Sequence, residues 1–149
     1  MTSVVEVSVD VDATPEDVWK VVADPRNLQR WDRHIALVEG AKGELHAGDG
    51  YTTELRFMGA RARAHMKVIA LTPYEYSKVA MDGVVDGVVE TWLEPLDGDR
   101  TRLRHRVEYR FRGGPLGEVA GRAVRMMGAG TILKRGVQAQ KRQVEGSVR

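Results

Sequence analysis

The chain has 149 residues, of which 42% are hydrophobic and 30% charged, a composition that excludes wholesale disorder and predicts one globular domain over residues 1–149. It contains no cysteine, so disulfides, thiolate metal sites and a cysteine nucleophile are excluded. The net charge of +2 is too small to indicate a nucleic-acid partner, and neither an apolar run of about 18 residues nor a signal-peptide pattern occurs, so we expect a cytoplasmic protein without integral membrane association.

The N-terminal part of the chain predicts one strand followed by two short helices. Hydrophobic residues alternate strictly over 4–11, which is the pattern of a half-buried strand. Thr14 and Pro15 then supply an N-cap and a first helical residue. The pair Asp24-Pro25 repeats this start signal, and the apolar residues within 28–31 predict a second short helix.

The middle of the chain predicts six further strands separated by short turns. Connections this short make neighbouring strands antiparallel. The predicted segments are 35–41, 50–58, 60–71, 74–81, 86–95 and 100–112.

The C-terminal part predicts one long helix, from Pro115 to about Val144, whose apolar residues recur at helical spacing. Such a helix spans roughly 45 Å, long enough to cross a whole sheet. Glycines at 128 and 130 bend this helix or thin it over the cavity mouth, and the alternative is close packing on the sheet. The fold class is therefore α+β: a seven-stranded curved antiparallel sheet wrapped around a long C-terminal helix, with two short helices after the first strand. A cavity between sheet and helix follows from this geometry.

Alternation along the strands predicts which side chains line that cavity. The inward positions are mostly apolar and several are small, which suits a hydrophobic ligand. For strand 74–81, the pattern does not decide which face points inward. The candidate ligand-binding residues are Tyr51, Leu55, Phe57, Ala62, Ala64, Met66, Val89, Thr91, Leu93, Val107 and Met127.

Two polar residues share the inward face of the last strand. His105 and Tyr109 lie four residues apart, about 13 Å along the strand, so they can contact two ends of one ligand. Because a histidine titrates near neutral pH, both are candidate catalytic residues for proton transfer. The alternative is a structural histidine that bonds a neighbouring hydroxyl such as Thr91. The histidines show no metal-ligand spacing, so neither a metal site nor a cofactor is predicted.

Four stretches of the sequence resemble a known family. They are Val7 to Asp24 with its Ala-Thr-Pro-Glu-Asp-Val-Trp, Asp24-Pro-Arg-Asn-Leu-Gln-Arg-Trp31, Trp92-Leu-Glu-Pro-Leu96 and Gly98-Asp-Arg-Thr-Arg-Leu103. The chain resembles polyketide cyclase/dehydrase-type proteins of the START-like, helix-grip superfamily, to which the major birch pollen allergen belongs. The resemblance implies a bacterial-type helix-grip protein, but its members bind, transport, cyclise or act as interaction modules.

In the helix-grip order, the last strand lies between the first and the sixth. Its outward arginines at 102, 104, 106 and 110 then face the carboxylates of residues 6, 10, 90 and 94, so a paired, solvated face is expected instead of a nucleic-acid surface. Trp92 on this face stacks on an arginine or contributes to a dimer contact. We therefore expect a monomer or homodimer. In this family the loops near the two short helices often frame the cavity entrance, so Leu28, Trp31 and Phe57 are candidate gate residues, with core packing as the alternative.

Three functions stay open. The first is binding, transport or sequestration of a hydrophobic small molecule such as a polyketide, lipid or isoprenoid. The alternative is a cyclase or dehydratase in which His105 and Tyr109 handle protons. The third is a non-catalytic protein-interaction module, which a filled cavity and an exposed patch around Trp92 would favour. Aromatase/cyclase relatives typically carry arginine and tryptophan inside the cavity on the strand corresponding to 60–70. This chain instead offers alanine, methionine and valine, which favours binding over cyclisation.

Overall fold

A computed structural model describes residues 2–57 and 59–148 of the chain. Seven antiparallel strands form one curled sheet in the order β1-β7-β6-β5-β4-β3-β2. The strands are β1 (Ser3–Val11), β2 (Ile35–Glu39), β3 (Gly50–Phe57), β4 (Ala60–Thr72), β5 (Tyr76–Gly83), β6 (Val85–Leu96) and β7 (Arg100–Phe111), and the helices are α1 (Pro15–Val22), α2 (Leu28–Trp31), α3 (Pro115–Met127) and α4 (Ala129–Ser147). This is the predicted α+β helix-grip fold.

The two short helices begin at the predicted capping residues. The Thr14 hydroxyl accepts a hydrogen bond from the Asp17 N–H at 3.3 Å, which caps α1. The Asp24 carboxylate accepts from the Arg26 N–H at 3.0 Å and starts a single 3-10 turn ahead of α2. These caps fix α1 and α2 at one end of the sheet, where both contact α4.

The face that β5 presents to the interior is settled by where the strand begins. Tyr74 lies in the preceding turn with a φ of 67°, so the strand starts at Tyr76. Its inward residues are Ser77, Val79 and Met81. The neighbouring strand β4 departs from strict alternation near its end. A bulge follows Val68 in β4, so Leu71 packs into the core where strict alternation predicts Ala70.

The predicted long helix is two helices, and the predicted bend lies at the break between them. Gly128 has a φ of +80°, a conformation that favours glycine, and it ends α3 and begins α4. The two helices cover different parts of the sheet: α3 contacts β3, β4 and β7, whereas α4 contacts β1 and the short helices. Among the described residues, no helix is both long and apolar enough to cross a membrane.

The outer face of β7 carries the expected ion pairs at Arg102, Arg104 and Arg106, whereas Arg110 forms none with a described residue. They are Arg102–Asp10 at 2.9 Å, Arg104–Glu6 at 3.3 Å, Arg104–Glu94 at 3.5 Å and Arg106–Glu90 at 3.7 Å. The Arg104 guanidinium also lies 4.1 Å above the Trp92 ring, whose other neighbour is Tyr76 at 5.5 Å. Most of the positive charge on this face is therefore compensated, and Trp92 is only half-exposed.

Candidate functional site

A cavity of about 280 Å³ lies between the concave face of the sheet and helix α4. It is close to the lower end of the range of roughly 300–1,000 Å³ that is usual for small-molecule sites. The sheet side is formed by inward residues of β3 to β7, and the helix side by Ile132, Leu133, Gly136 and Val137. Most of this lining is apolar, so the cavity suits a ligand with a hydrophobic body.

A buried hydrogen-bond chain crosses one wall of the cavity. His105 Nδ1 lies 2.8 Å from Thr91 Oγ1, and His105 Nε2 lies 2.7 Å from Gln140 Oε1. This arrangement fits a neutral imidazole whose Nε2–H donates to Gln140 and whose Nδ1 accepts from the Thr91 hydroxyl. Burial lowers the pKa of His105, because desolvation of the imidazolium outweighs the opposing hydrogen bond to Gln140.

Two further hydroxyl groups line the cavity without a hydrogen bond to any described residue. They belong to Tyr51 and Ser77, each of which is 9% exposed. A third lining hydroxyl, that of Thr53, donates to the Ala64 carbonyl at 3.3 Å. Burial raises the pKa of the Tyr51 phenol, so this group stays protonated and can donate a hydrogen bond. Tyr51 and Ser77 are therefore the polar groups that a ligand oxygen can satisfy.

The mouth of the cavity lies between α2 and α4. Trp31, Asp32 and Ile132 line both the cavity and an adjoining surface groove. Trp31 is held there because its indole N–H donates to Gln143 Oε1 at 2.8 Å. Leu28 also lines the cavity and packs against the core, so its gate role stays a prediction. The third predicted gate residue is Phe57, whose side chain lies outside the described part of the structure.

Eight of the predicted site residues line one cavity. They are Tyr51, Leu55, Ala64, Met66, Val89, Thr91, His105 and Val107. Their inward orientation follows the alternation along each strand.

Four predicted site residues lie outside that lining. Leu93 is 3% exposed and packs in the core around Trp19 and Leu103. The others, Ala62, Tyr109 and Met127, pack in the cluster beneath α3. His105 lines the cavity and Tyr109 does not, so the structure does not place the two residues where they could contact the same ligand. Alternation along a strand gives the face of each residue, but α3 fills one end of that face.

The sequence reasoning also missed lining residues, above all Gln140. The sequence contains a pattern that indicates this residue. Gln140 follows Val137 by three residues and precedes Val144 by four, so a polar side chain interrupts the buried stripe of α4. Ser77 was missed because the inward face of its strand was left open.

Comparisons with known proteins agree with this architecture. The chain is 32% identical over 130 residues to uncharacterised proteins from two strains of Mycobacterium tuberculosis, covering 81% of this chain and 87% of theirs. It superposes on an aromatase/cyclase from Streptomyces sp. R1128 with a TM-score of 0.77 and 18% identity, over 100% of this chain and 97% of that one.

A second structural neighbour is norcoclaurine synthase from Thalictrum flavum, solved in complex with dopamine and hydroxybenzaldehyde. The TM-score is 0.65 at 18% identity, over 97% of this chain and 87% of that one. At these identities, both likenesses concern the fold. Residues 2–145 match the family described as polyketide cyclase / dehydrase and lipid transport, and the chain therefore belongs to that family.

Proposed function

We propose that this protein binds a hydrophobic small molecule, of the polyketide, lipid or isoprenoid kind, in the cavity between the sheet and α4. The observation that carries the proposal is the cavity itself: an apolar space of about 280 Å³ lined by Tyr51 and Ser77, whose hydroxyls bond no described residue. Membership of a family that includes lipid transport proteins supports it.

The two unpartnered hydroxyls define the kind of hydrophobic ligand more closely. Neither the Tyr51 nor the Ser77 hydroxyl bonds a described residue. A ligand carbonyl or hydroxyl oxygen within reach of either group gains a hydrogen bond, which typically contributes about 0.5–1.5 kcal/mol, whereas a pure hydrocarbon does not. We therefore propose an oxygen-bearing apolar ligand.

Binding of a neutral hydrophobic dye, Nile red, tests the proposal with a matched pair of variants. Val89 and Val88 are neighbours on β6, and only Val89 lines the cavity. Val89→Phe is expected to fill cavity volume and weaken dye binding about tenfold or more, whereas Val88→Phe leaves it unchanged. If Nile red binds the wild type and both variants equally well, or binds none of them, the cavity is not a ligand site.

A second candidate is a cyclase or dehydratase in which His105 transfers protons. It is favoured by the position of His105, a neutral imidazole in the wall of the cavity, and by the family. To act on a ligand, the imidazole must exchange one of its two partners, Thr91 or Gln140, for a ligand oxygen.

This candidate is tested on the molecule that organic extraction releases from the purified protein. That molecule, incubated with wild type, is expected to yield a ring-closed isomer or a product lighter by one water. His105→Gln would abolish the conversion, and Tyr109→Phe would retain it. Conversion that survives His105→Gln would exclude the proton-transfer role.

The interaction-module alternative has less support. The cavity is not filled, and Trp92 is half-exposed between Arg104 and Tyr76 instead of forming an exposed patch. A cytoplasmic location and a monomeric or homodimeric state stay predictions. Cell fractionation and light scattering on the purified protein would check them.

A further inference from the structure

A basic groove adjoins the mouth of the cavity. It has a volume of about 350 Å³ and shares Trp31, Asp32 and Ile132 with the cavity lining. Four arginines surround it: Arg30 and Arg33 from the segment at α2, and Arg135 and Arg142 from α4. All four side chains are exposed. The apolar site therefore opens directly beside a cluster of cations.

These arginines differ from those on the outer face of the sheet. Arg102, Arg104 and Arg106 each lie within 4 Å of a carboxylate, as ion pairs across or along the strands. The four groove arginines form no ion pair with a described residue. The groove's own carboxylate, Asp32, is already engaged, because it accepts from His34 Nδ1 at 2.7 Å and from the His34 N–H at 2.8 Å.

Helix α4 separates its apolar and basic residues by helical spacing. Ile132, Gly136 and Gln140 face the cavity, whereas Arg135 and Arg142 lie on the adjacent stripe that forms the groove. A molecule whose apolar body leaves the cavity past Ile132 therefore meets the guanidinium groups next.

Helix α4 carries more net positive charge than the complete chain does. Helix α4 contains Lys134, Arg135, Lys141 and Arg142 against the single acid Glu145, a net charge of +3, whereas the complete chain carries +2. The rest of the chain is thus close to neutral in net charge, and the groove lining itself holds four arginines against the one carboxylate of Asp32. Such an excess of cations attracts an anion toward the cavity.

We infer that the ligand is an anionic amphiphile, whose apolar body occupies the cavity and whose carboxylate or phosphate head binds the arginine groove. The inference rests on the proposed function and specifies its ligand class. Planar guanidinium groups match both heads, because each offers parallel N–H donors to two oxygens. A neutral or cationic head lacks this contact.

Displacement of Nile red by four ligands that each contain a linear twelve-carbon chain tests the inference. They are dodecanoate, dodecyl phosphate, dodecanol and dodecyltrimethylammonium, each below its micellar concentration and at low salt. The variant Arg135→Gln/Arg142→Gln removes two groove cations. The control, Arg100→Gln/Arg110→Gln, removes two exposed cations from β7, outside the groove.

We expect at least one anion to displace the dye about tenfold more tightly than dodecanol from the wild type. The advantage should fall severalfold in the groove variant and persist in the control, while dodecanol binds all three proteins equally. The anion with the larger advantage identifies the head as carboxylate or phosphate. Added salt should weaken the anions and leave dodecanol unchanged.

Two results would overturn the inference in distinguishable ways. If dodecanol displaces the dye but the anions gain no advantage, or keep it in the groove variant, the head site is wrong and the cavity proposal stands. If the dye binds but no twelve-carbon ligand displaces it, the head site is likewise wrong; if the dye does not bind at all, the cavity proposal fails, and the head site with it.

Discussion

At the scale of single residues, the polar groups of the cavity divide into two kinds. His105 is held at both ring nitrogens, by Thr91 and by Gln140. The hydroxyls of Tyr51 and Ser77 contact the same cavity and bond no described residue. The hydrogen bonds of His105 hold the cavity wall in place, whereas the two hydroxyls can form hydrogen bonds with a ligand. This division predicts opposite consequences of substitution.

Tyr51→Phe should leave the fold intact and weaken ligand binding. The lost hydroxyl makes no hydrogen bond within the described protein, so the free energy of unfolding should change by less than about 1 kcal/mol. Affinity for an oxygen-bearing ligand should fall about threefold to tenfold, as titration calorimetry can measure. Tyr76→Phe is the control, since that hydroxyl bonds Glu90 on the outer face. Equal ligand affinity in Tyr51→Phe and wild type would contradict the role of Tyr51.

His105 should make stability depend on pH in a definite direction. Its pKa in the folded protein is lowered below the ordinary value of 6.5, so between the two pKa values the unfolded chain binds more protons than the folded protein does. The contribution of His105 to the free energy of unfolding is therefore fully present above about pH 6.5. It is lost as the pH falls, by at most about 1.4 kcal/mol per pH unit. Neither of its partners, Thr91 and Gln140, titrates in this range.

Urea unfolding of wild type and His105→Gln at several pH values between about 7 and 5 checks this prediction. Wild type should lose more stability on acidification than the variant does. Parallel curves for the two proteins would show that His105 is not a buried neutral imidazole.

At the scale of elements, the break between α3 and α4 decides where the cavity ends. Gly128 lets the chain turn, so α3 covers one end of the sheet while α4 passes over the other. The side chains beneath α3 then form a packed cluster, and those beside α4 line the open space.

Two glycines near this break should respond oppositely to alanine. Gly128→Ala forces a side chain into a positive φ and should lower the free energy of unfolding by about 2 kcal/mol. Gly130→Ala adds a methyl group in open space near the start of α4 and should leave stability unchanged or raise it by up to about 1 kcal/mol. Thermal unfolding of the two variants checks the sign. A neutral Gly128→Ala would mean that the break does not require glycine.

The elements also show what the sequence could and could not predict. Alternation along strands reflects a strict geometric period, so it placed His105, Thr91 and Ala64 on the inner face correctly. It could not place the bulge after Val68, because bulges depend on pairing between strands. Nor could it show that Tyr109 lies under α3, since that depends on how two helices share the sheet.

At the scale of the whole molecule, the sheet and its helices separate two kinds of surface. The outer face of β7 is charged and internally paired, with Arg102, Arg104 and Arg106 bonded to carboxylates. The inner face surrounds an apolar cavity that adjoins four arginines without an ion pair to any described residue. A paired outer face leaves little field for a nucleic acid, whereas the mouth combines apolar surface and positive charge.

The central claim is that the cavity binds a hydrophobic molecule, and native mass spectrometry of the purified protein tests it most directly. Spectra recorded before and after organic extraction should differ by the mass of a bound apolar molecule, and the extracted protein should bind that molecule again. Val89→Phe should reduce the bound fraction, and Val88→Phe should not. A protein that carries no extractable molecule and also binds neither Nile red nor dodecanoate would contradict the account.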